Sequence, residues 1–283
     1  MDPATLIGLA LILVGVFVGS LMKGVSPVVF FSVPAAFLIV FLPTFGAAFL
    51  GSTMDDIKAF PKLLKKLVRK PPKEDPDELI GQIVSLGERA RRDGLLSLED
   101  EVASIEEPFL RRGLQLAIDG ADPETVEEIM DTEIRGMQAR HRQGAKLVSS
   151  MGIYAPTFGI IGAVVGLIVT LGKLDNPEEL GHGIAAAFIA TFWGVFLANG
   201  VFLPWSNKLV RMSGEETAHR RLLVEGVLAI QSGFNPRMLD DLMRSHLAPS
   251  QRGDSAKNAG KNAGKGASKG AGDDAAEQEK KSA

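Results

Sequence analysis

The run LVSSMGIYAPTFGIIGAVVGLIVTLG, residues 147–172, holds 26 residues and not one Asp, Glu, Lys or Arg. Three more such gaps occur: Pro3 to Met22, Gly24 to Met54, and Leu180 to Asn207, with lengths of 20, 31 and 28 residues. Together the four leave 105 of 283 positions without a formal charge, in a chain that is 23% charged overall. At about 1.5 Å per residue each gap can cross a hydrocarbon layer roughly 30 Å thick. This pattern excludes a soluble protein with one core. A net charge of −3 and the lack of a groove-reading motif exclude a DNA-binding protein. Zero cysteines exclude a disulfide framework, thiolate metal sites and a cysteine nucleophile.

The helix read from the first gap follows only Met1, Asp2 and Pro3, with no basic leader and no small-residue cleavage motif after it. It reads as a retained helix from Thr5 to Met22. The turn Lys23 to Pro27 is short, so a second helix is expected from Val28 to Leu50. Basic residues then arrive together: Lys58, Lys62, Lys65, Lys66, Arg69, Lys70 and Lys73, with no acid between Ile57 and Lys73. The positive-inside rule makes that end of helix two cytoplasmic. The cluster also reads as a solvated face, or as a surface helix on anionic lipid. The connection Lys173 to Glu179 carries one base and three acids and is expected outside. The reading is four crossings, with the N-terminus outside and the C-terminus in the cytoplasm.

The soluble stretches read as helices throughout. Asp75-Pro76-Asp77-Glu78 supplies a cap, a proline at the first helical position and acids in the first turn. Leu79, Ile83, Leu86 and Ala90 follow at helical spacing, and Gly94 is placed to end the helix. A short helix is expected near Ser97 and another from Pro108 to Asp119. One beginning at Asp122-Pro123 carries Val126, Ile129, Met130, Ile134 and Met137 and continues into the membrane as helix three. After helix four, Lys208 to Gln231 reads as amphipathic, with a short helix to Leu247. From Pro249 the Gly, Ala, Ser and Lys content predicts disorder. Strand-like alternation is absent, so the fold class is all-α. The expected division is 1–50 for the first two membrane helices, 51–146 for a cytoplasmic helical domain, 147–207 for helices three and four, 208–248 for post-membrane helices, and 249–283 for the tail.

No enzyme signature is present. The four histidines, at 141, 182, 219 and 246, lack metal-ligand spacing, and no phosphate loop occurs. No cofactor is expected. The lysine-bearing tail is diluted by Asp273, Asp274, Glu277 and Glu279, which argues against a nucleic-acid partner.

Helices three and four repeat one element: Gly152 with Pro156, and Gly200 with Pro204. A proline inside a helix withholds its own N–H and crowds the carbonyl four residues earlier. The carbonyls of Gly152 and Gly200 then need water or another donor. This reads as a packing kink or as the lining of a polar path. Both helices also carry small-residue stripes: Ala155, Gly159, Gly162, Ala163 and Gly166, then Ala187, Ala190, Thr191, Gly194 and Ala198. Such stripes permit close helix approach, within the chain or to a partner's helix. Neither helix contains a carboxylate, although cation relays place one within the bilayer. A titrating group would have to come from another subunit.

Tyr154-Ala155-Pro156-Thr157-Phe158-Gly159-Ile160-Ile161-Gly162, continued by Val165-Gly166-Leu167, resembles the third membrane helix of the MotA/PomA family of flagellar stator subunits. Ala190-Thr191-Phe192-Trp193-Gly194 through Asn199, with Phe202-Leu203-Pro204, resembles the fourth. Gly226 to Gln231, Gly233 and Asn235-Pro236-Arg237 are similar to the family's post-membrane segment, and Asp2 to Gly8 to its start. The resemblance spans about residues 1 to 247.

That resemblance implies five copies in a ring around two copies of a MotB-type partner, in the bacterial inner membrane. The partner's single helix would carry the ion-binding aspartate, and ring rotation would turn the rotor. Pro156 and Pro204 match the family's two prolines beside the ion path, and Thr191 its threonine near that aspartate. Gly152, Gly200 and Ala163 are grouped with them. Arg91 and Glu99, with Arg92 beside them, match charges that engage the rotor protein FliG. Sodium-driven members have threonine at the place of Ala163. One fewer hydroxyl oxygen to replace sodium's water favours protons. The competing readings are an ExbB/TolQ-type energiser of envelope transport, whose relatives have three membrane helices, and a non-conducting membrane scaffold.

Overall fold

The computed structural model describes residues 3–68, 76–172 and 174–247. Among them every regular element is helical: α1 (Pro3–Met22), a 3₁₀ turn (Pro27–Phe31), α2 (Pro34–Leu50), α3 (Met54–Val68), α4 (Pro76–Asp93), a second 3₁₀ turn (Leu95–Leu98), α5 (Glu99–Ser104), α6 (Pro108–Ile118), α7 (Pro123–Leu171), α8 (Pro177–Leu197), a π-helical turn (Ala198–Phe202), α9 (Leu203–Gln231) and α10 (Pro236–Ser245). The all-α expectation holds. The chain divides into two units, 1–72 with 133–218 and 73–132 with 219–283.

The first unit contains α1, α2, α3, α8 and most of α7. Three helical runs are long and apolar enough to cross a membrane: Pro3–Met22, Pro123–Leu171 and the continuous Pro177–Gln231, while Pro34–Leu50 is a shorter apolar helix. The second segment departs from its expected form. Pro34 disfavours an α conformation at the residue before it, so the stretch opens as a 3₁₀ turn and becomes α-helical only at Pro34. Phe37, Phe41, Phe45 and Phe49 then stack along one side, with successive centroids 5.1, 4.6 and 5.9 Å apart. They pack on α8 and its continuation through Trp193 (5.4 Å from Phe37) and Phe202 (5.9 Å from Phe45). The indole N–H of Trp193 donates to the Phe30 carbonyl at 2.8 Å, pairing one of the backbone groups that the 3₁₀ turn leaves over.

These contacts correct the expected placement of the chain ends. Lys208 Nζ donates to Thr5 Oγ1, so α1 begins beside the residue that follows the last charge-free stretch. Phe17, near the other end of α1, instead meets Phe30 at 6.2 Å. The start of α1 and the Lys208 end of the last apolar stretch therefore share one side. That closeness does not fit an N-terminus outside with residue 208 inside.

The second unit is a small helical core. Ile80, Ile83, Leu86, Leu98, Leu110, Leu114, Leu223, Leu239 and Met243 are buried. Helix α10 lies against α4, its Leu239 filling the space left by Gly87. Arg244 holds the contact, reaching Asp77 at 2.6 Å and Asp240 at 2.9 Å. Both carboxylates raise the Arg244 pKa, that of Asp240 most. The tail from Pro249, and Arg69, Lys70 and Lys73 of the basic cluster, lie outside the described residues.

Candidate functional site

Helices α7 and α8 meet backbone to backbone. A Cβ on Gly194 would stand 2.7 Å from the Ala155 carbonyl oxygen, 3.0 Å from Gly159 Cα and 3.2 Å from Pro156 Cα. A Cβ on Gly159 would stand 3.1 Å from the Ala190 carbonyl oxygen and 3.3 Å from Thr191 Cα. Gly162 faces Ala190 and Ile39, and Gly166 faces Ala187. Ala155, Ala187, Ala190 and Ala198 are all at most 4% exposed. Ala155, Gly159, Gly162 and Gly166 of one stripe thus meet Ala187, Ala190, Thr191 and Gly194 of the other. Of the two uses such stripes permit, packing within the chain is the one these contacts make. The open side of α7 is different and largely apolar: Tyr154, Thr157, Ile160, Ile161, Val164 and Ile168 are exposed.

The two prolines sit differently. Helix α7 runs through Pro156 without interruption, and Pro156 is half-buried against Gly194. Gly152 lies under Leu203, whose side chain would be 2.7 Å from an added Cβ. Pro204 is exposed and directly follows the π-helical turn, in which the Leu203 N–H reaches back to the Ala198 carbonyl. In that register position 204 lies opposite the Asn199 carbonyl. The missing N–H of Pro204 thus falls where the ladder passes from π to α register, beside the Asn199 and Gly200 carbonyls.

Thr191 and Gly200 share a groove of about 510 Å³ between α1 and α8, lined also by Ile12, Val16, Phe192, Phe196 and Asn199. Its polar side chains are turned to their own helix, Thr191 Oγ1 donating to the Ala187 carbonyl at 3.3 Å and Asn199 Nδ2 to that of Val195 at 3.1 Å. Ala163 is half-buried and does not line it. The structure thus brings Thr191 and Gly200 together, and Pro156 with Gly194, but does not gather all six proposed ion-path residues at one point. Asn199 is the addition: it stands in the π-helical turn and lines the same groove.

In the second unit, Arg91 and Arg92 close α4 and Glu99 opens α5. Between them Gly94 adopts φ +85°, which a residue with a side chain reaches only under strain, and its carbonyl accepts from Ser97 Oγ at 2.6 Å. Leu98 and Val102 anchor the turn in the core. All three charged side chains are exposed. Arg92 is engaged by Asp93 at 3.2 Å, and that hydrogen bond raises its pKa. Arg91 and Glu99 have no ion-pair partner among the described residues. No cluster of His, Asp or Glu suited to a metal ion occurs among the described residues.

Apolar helices that meet through close-packed small-residue faces define a membrane-helix protein, and residues 101–221 match the MotA/TolQ/ExbB proton channel family. Residues 6–94 match the motility protein A N-terminal family. Motility protein A of Bacillus subtilis (strain 168) is 38% identical over 255 residues, covering 89% of this chain and 93% of the relative. The Bacillus subtilis flagellar MotAB stator complex contains a chain with a TM-score of 0.82 and 38% identity, covering 87% of this chain and 96% of that one. The C. jejuni MotAB structure gives 0.83 and 32%, with 88% and 97% covered. The chain belongs to the MotA/PomA family of flagellar motor stator proteins.

Proposed function

We propose that this chain is the ring-forming subunit of a proton-driven flagellar stator, working with a MotB-type partner whose membrane helix carries the titrating aspartate. The observation that carries the reading is the α7–α8 pair: two apolar helices locked together at Gly159 and Gly194, with no carboxylate from Leu147 to Gly172 or from Leu180 to Asn207. A proton path along such a pair needs its ionisable group from another chain, and the solved relatives are MotAB complexes. The chain crosses the inner membrane four times, with both ends and the 51–146 domain in the cytoplasm. The contact between Thr5 and Lys208 supports that arrangement. Five copies surround two partner helices. Proton entry changes the contact between partner helix and ring, and the ring steps. One charge crossing about 100 mV releases about 2.3 kcal/mol, enough for a small rotation. Arg91 and Glu99 pass the motion to FliG. The match over residues 6–94 to a motility-specific family favours this reading over an ExbB/TolQ-type energiser.

The test is deletion of the gene in its host. Flagellated, paralysed cells are the expected result. Normal swimming with an envelope or uptake defect would overturn the reading. In rescued cells, speed should follow the proton-motive force and ignore external sodium.

A further inference from the structure

Three residues separate helix α3 from the end of the apolar helix α2, and α3 sorts its side chains by face. Phe60 packs at 5.9 Å from Phe45 and 6.2 Å from Phe49. Leu63 covers Gly144, and Leu67 is 3% exposed. The apolar face is thus sealed on the chain's own core. On the opposite face Lys58, Lys62 and Lys65 fall four and three residues apart, which aligns them in one stripe. All three are exposed, and none has an ion-pair partner among the described residues. Lys66, off the stripe, is paired with Glu216 at 3.0 Å. The acids of α3 stay in its first turn, where Asp56 is held by Thr53 at 2.7 Å.

We propose that Lys58, Lys62 and Lys65 form a docking surface for anionic phospholipid headgroups. The proposal rests on the membrane reading above, which puts α3 at the cytoplasmic headgroup level. Three ammonium groups with no ion-pair partner among the described residues call for an anionic partner, and a helix leaving the bilayer after so short a turn meets phosphodiesters first. Lysine suits that role as a compact, hydrated point charge that pairs with a phosphate oxygen without fixed geometry. Each lysine near an anionic surface contributes about a fivefold preference, so the stripe gives about a hundredfold at most, and the effect fades with salt.

The experiment uses the intact complex with its partner subunit, purified and exposed to mixed phosphatidylglycerol and phosphatidylcholine, with retained lipid counted by mass spectrometry. The wild type is expected to keep phosphatidylglycerol at least about tenfold over phosphatidylcholine at low salt and to lose most of that preference at about 0.5 M salt. Lys58→Gln, Lys62→Gln and Lys65→Gln combined should abolish it, and Lys66→Gln should leave it. An unchanged preference in the triple variant would overturn the proposal, and so would a wild type with no preference, which would leave the stripe to an acidic protein. If the triple variant does not assemble, Lys62→Gln alone decides, since a preference equal to wild type would count against the surface. Paralysis on gene deletion is read separately, so either idea can fail alone.

Discussion

The α-carbons of Gly194 and Gly159 lie so near each other that a Cβ on Gly194 would approach Gly159 Cα to 3.0 Å. Neither helix can rotate a side chain out of the way, because the obstructing atoms are backbone. Gly194→Ala should therefore part α7 from α8 and destabilise the chain by about 1–3 kcal/mol, the usual range for overpacking. Gly8, with nothing within 4 Å of an added Cβ, is the matched control, and Gly8→Ala should be neutral. Thermal melts of the purified complex compare the two. Equal melting temperatures would contradict the contact.

Replacing Pro156 or Pro204 by Leu restores a backbone donor at each site. Torque should fall to zero while the complex stays in the membrane at normal abundance, as bead rotation and immunoblotting would read. Disappearance of the complex would mean that the prolines serve packing instead. Pro156 is the more exposed to that outcome, because Gly194 lies against it.

Charge reversal at Arg91 and Glu99 should weaken rotor coupling several-fold, and matched reversals on the rotor should restore it. Arg92 should matter less, since Asp93 already engages it at 3.2 Å. Wild-type torque with both charges reversed would remove this loop from the rotor contact. The assay is bead rotation at fixed load.

Asp122 caps the start of α7, accepting from Thr125 N–H at 2.9 Å and Thr125 Oγ1 at 2.8 Å. Those bonds favour the carboxylate, the backbone one most, and hold its pKa below the usual value. The sign follows. A group depressed on folding stabilises above its unfolded pKa of about 3.9 and loses that contribution as pH falls through the folded value. Asp122→Ala should melt lower than wild type at neutral pH, with the gap closing in strong acid. A gap that is constant with pH would show that the cap does not depend on charge.

Much of this was readable because charge is costly in lipid: the four gaps mark the apolar helices, and the unbroken pattern after Asp122-Pro123 predicts the single helix that runs to Leu171. What escaped depends on terms that periodicity does not contain. Pro34 turns the start of the second segment into a 3₁₀ turn through a local clash. Ile80, not its neighbour Leu79, is the buried residue at the start of α4, since a slight rotation of a helix exchanges adjacent apolar positions. The stripes themselves were visible, but small residues announce close approach and not to what. Here the neighbour is in the same chain. Arg91 and Glu99 came only through family resemblance, because a solvated charge leaves no trace in spacing.

The π-helical turn at Ala198–Phe202 amounts to one residue more than a regular ladder would hold. Anywhere else in the run from Pro177 to Gln231, losing a residue would swing everything beyond it through about 100°. Within this turn a deletion converts the wide coil to an ordinary one and leaves the flanking faces aligned. Comparisons among lengths of related chains should therefore find their single-residue gap here, and a designed deletion at this point becomes a way to remove the widened turn while Ser206 still reaches the Ala145 carbonyl, now 2.9 Å away.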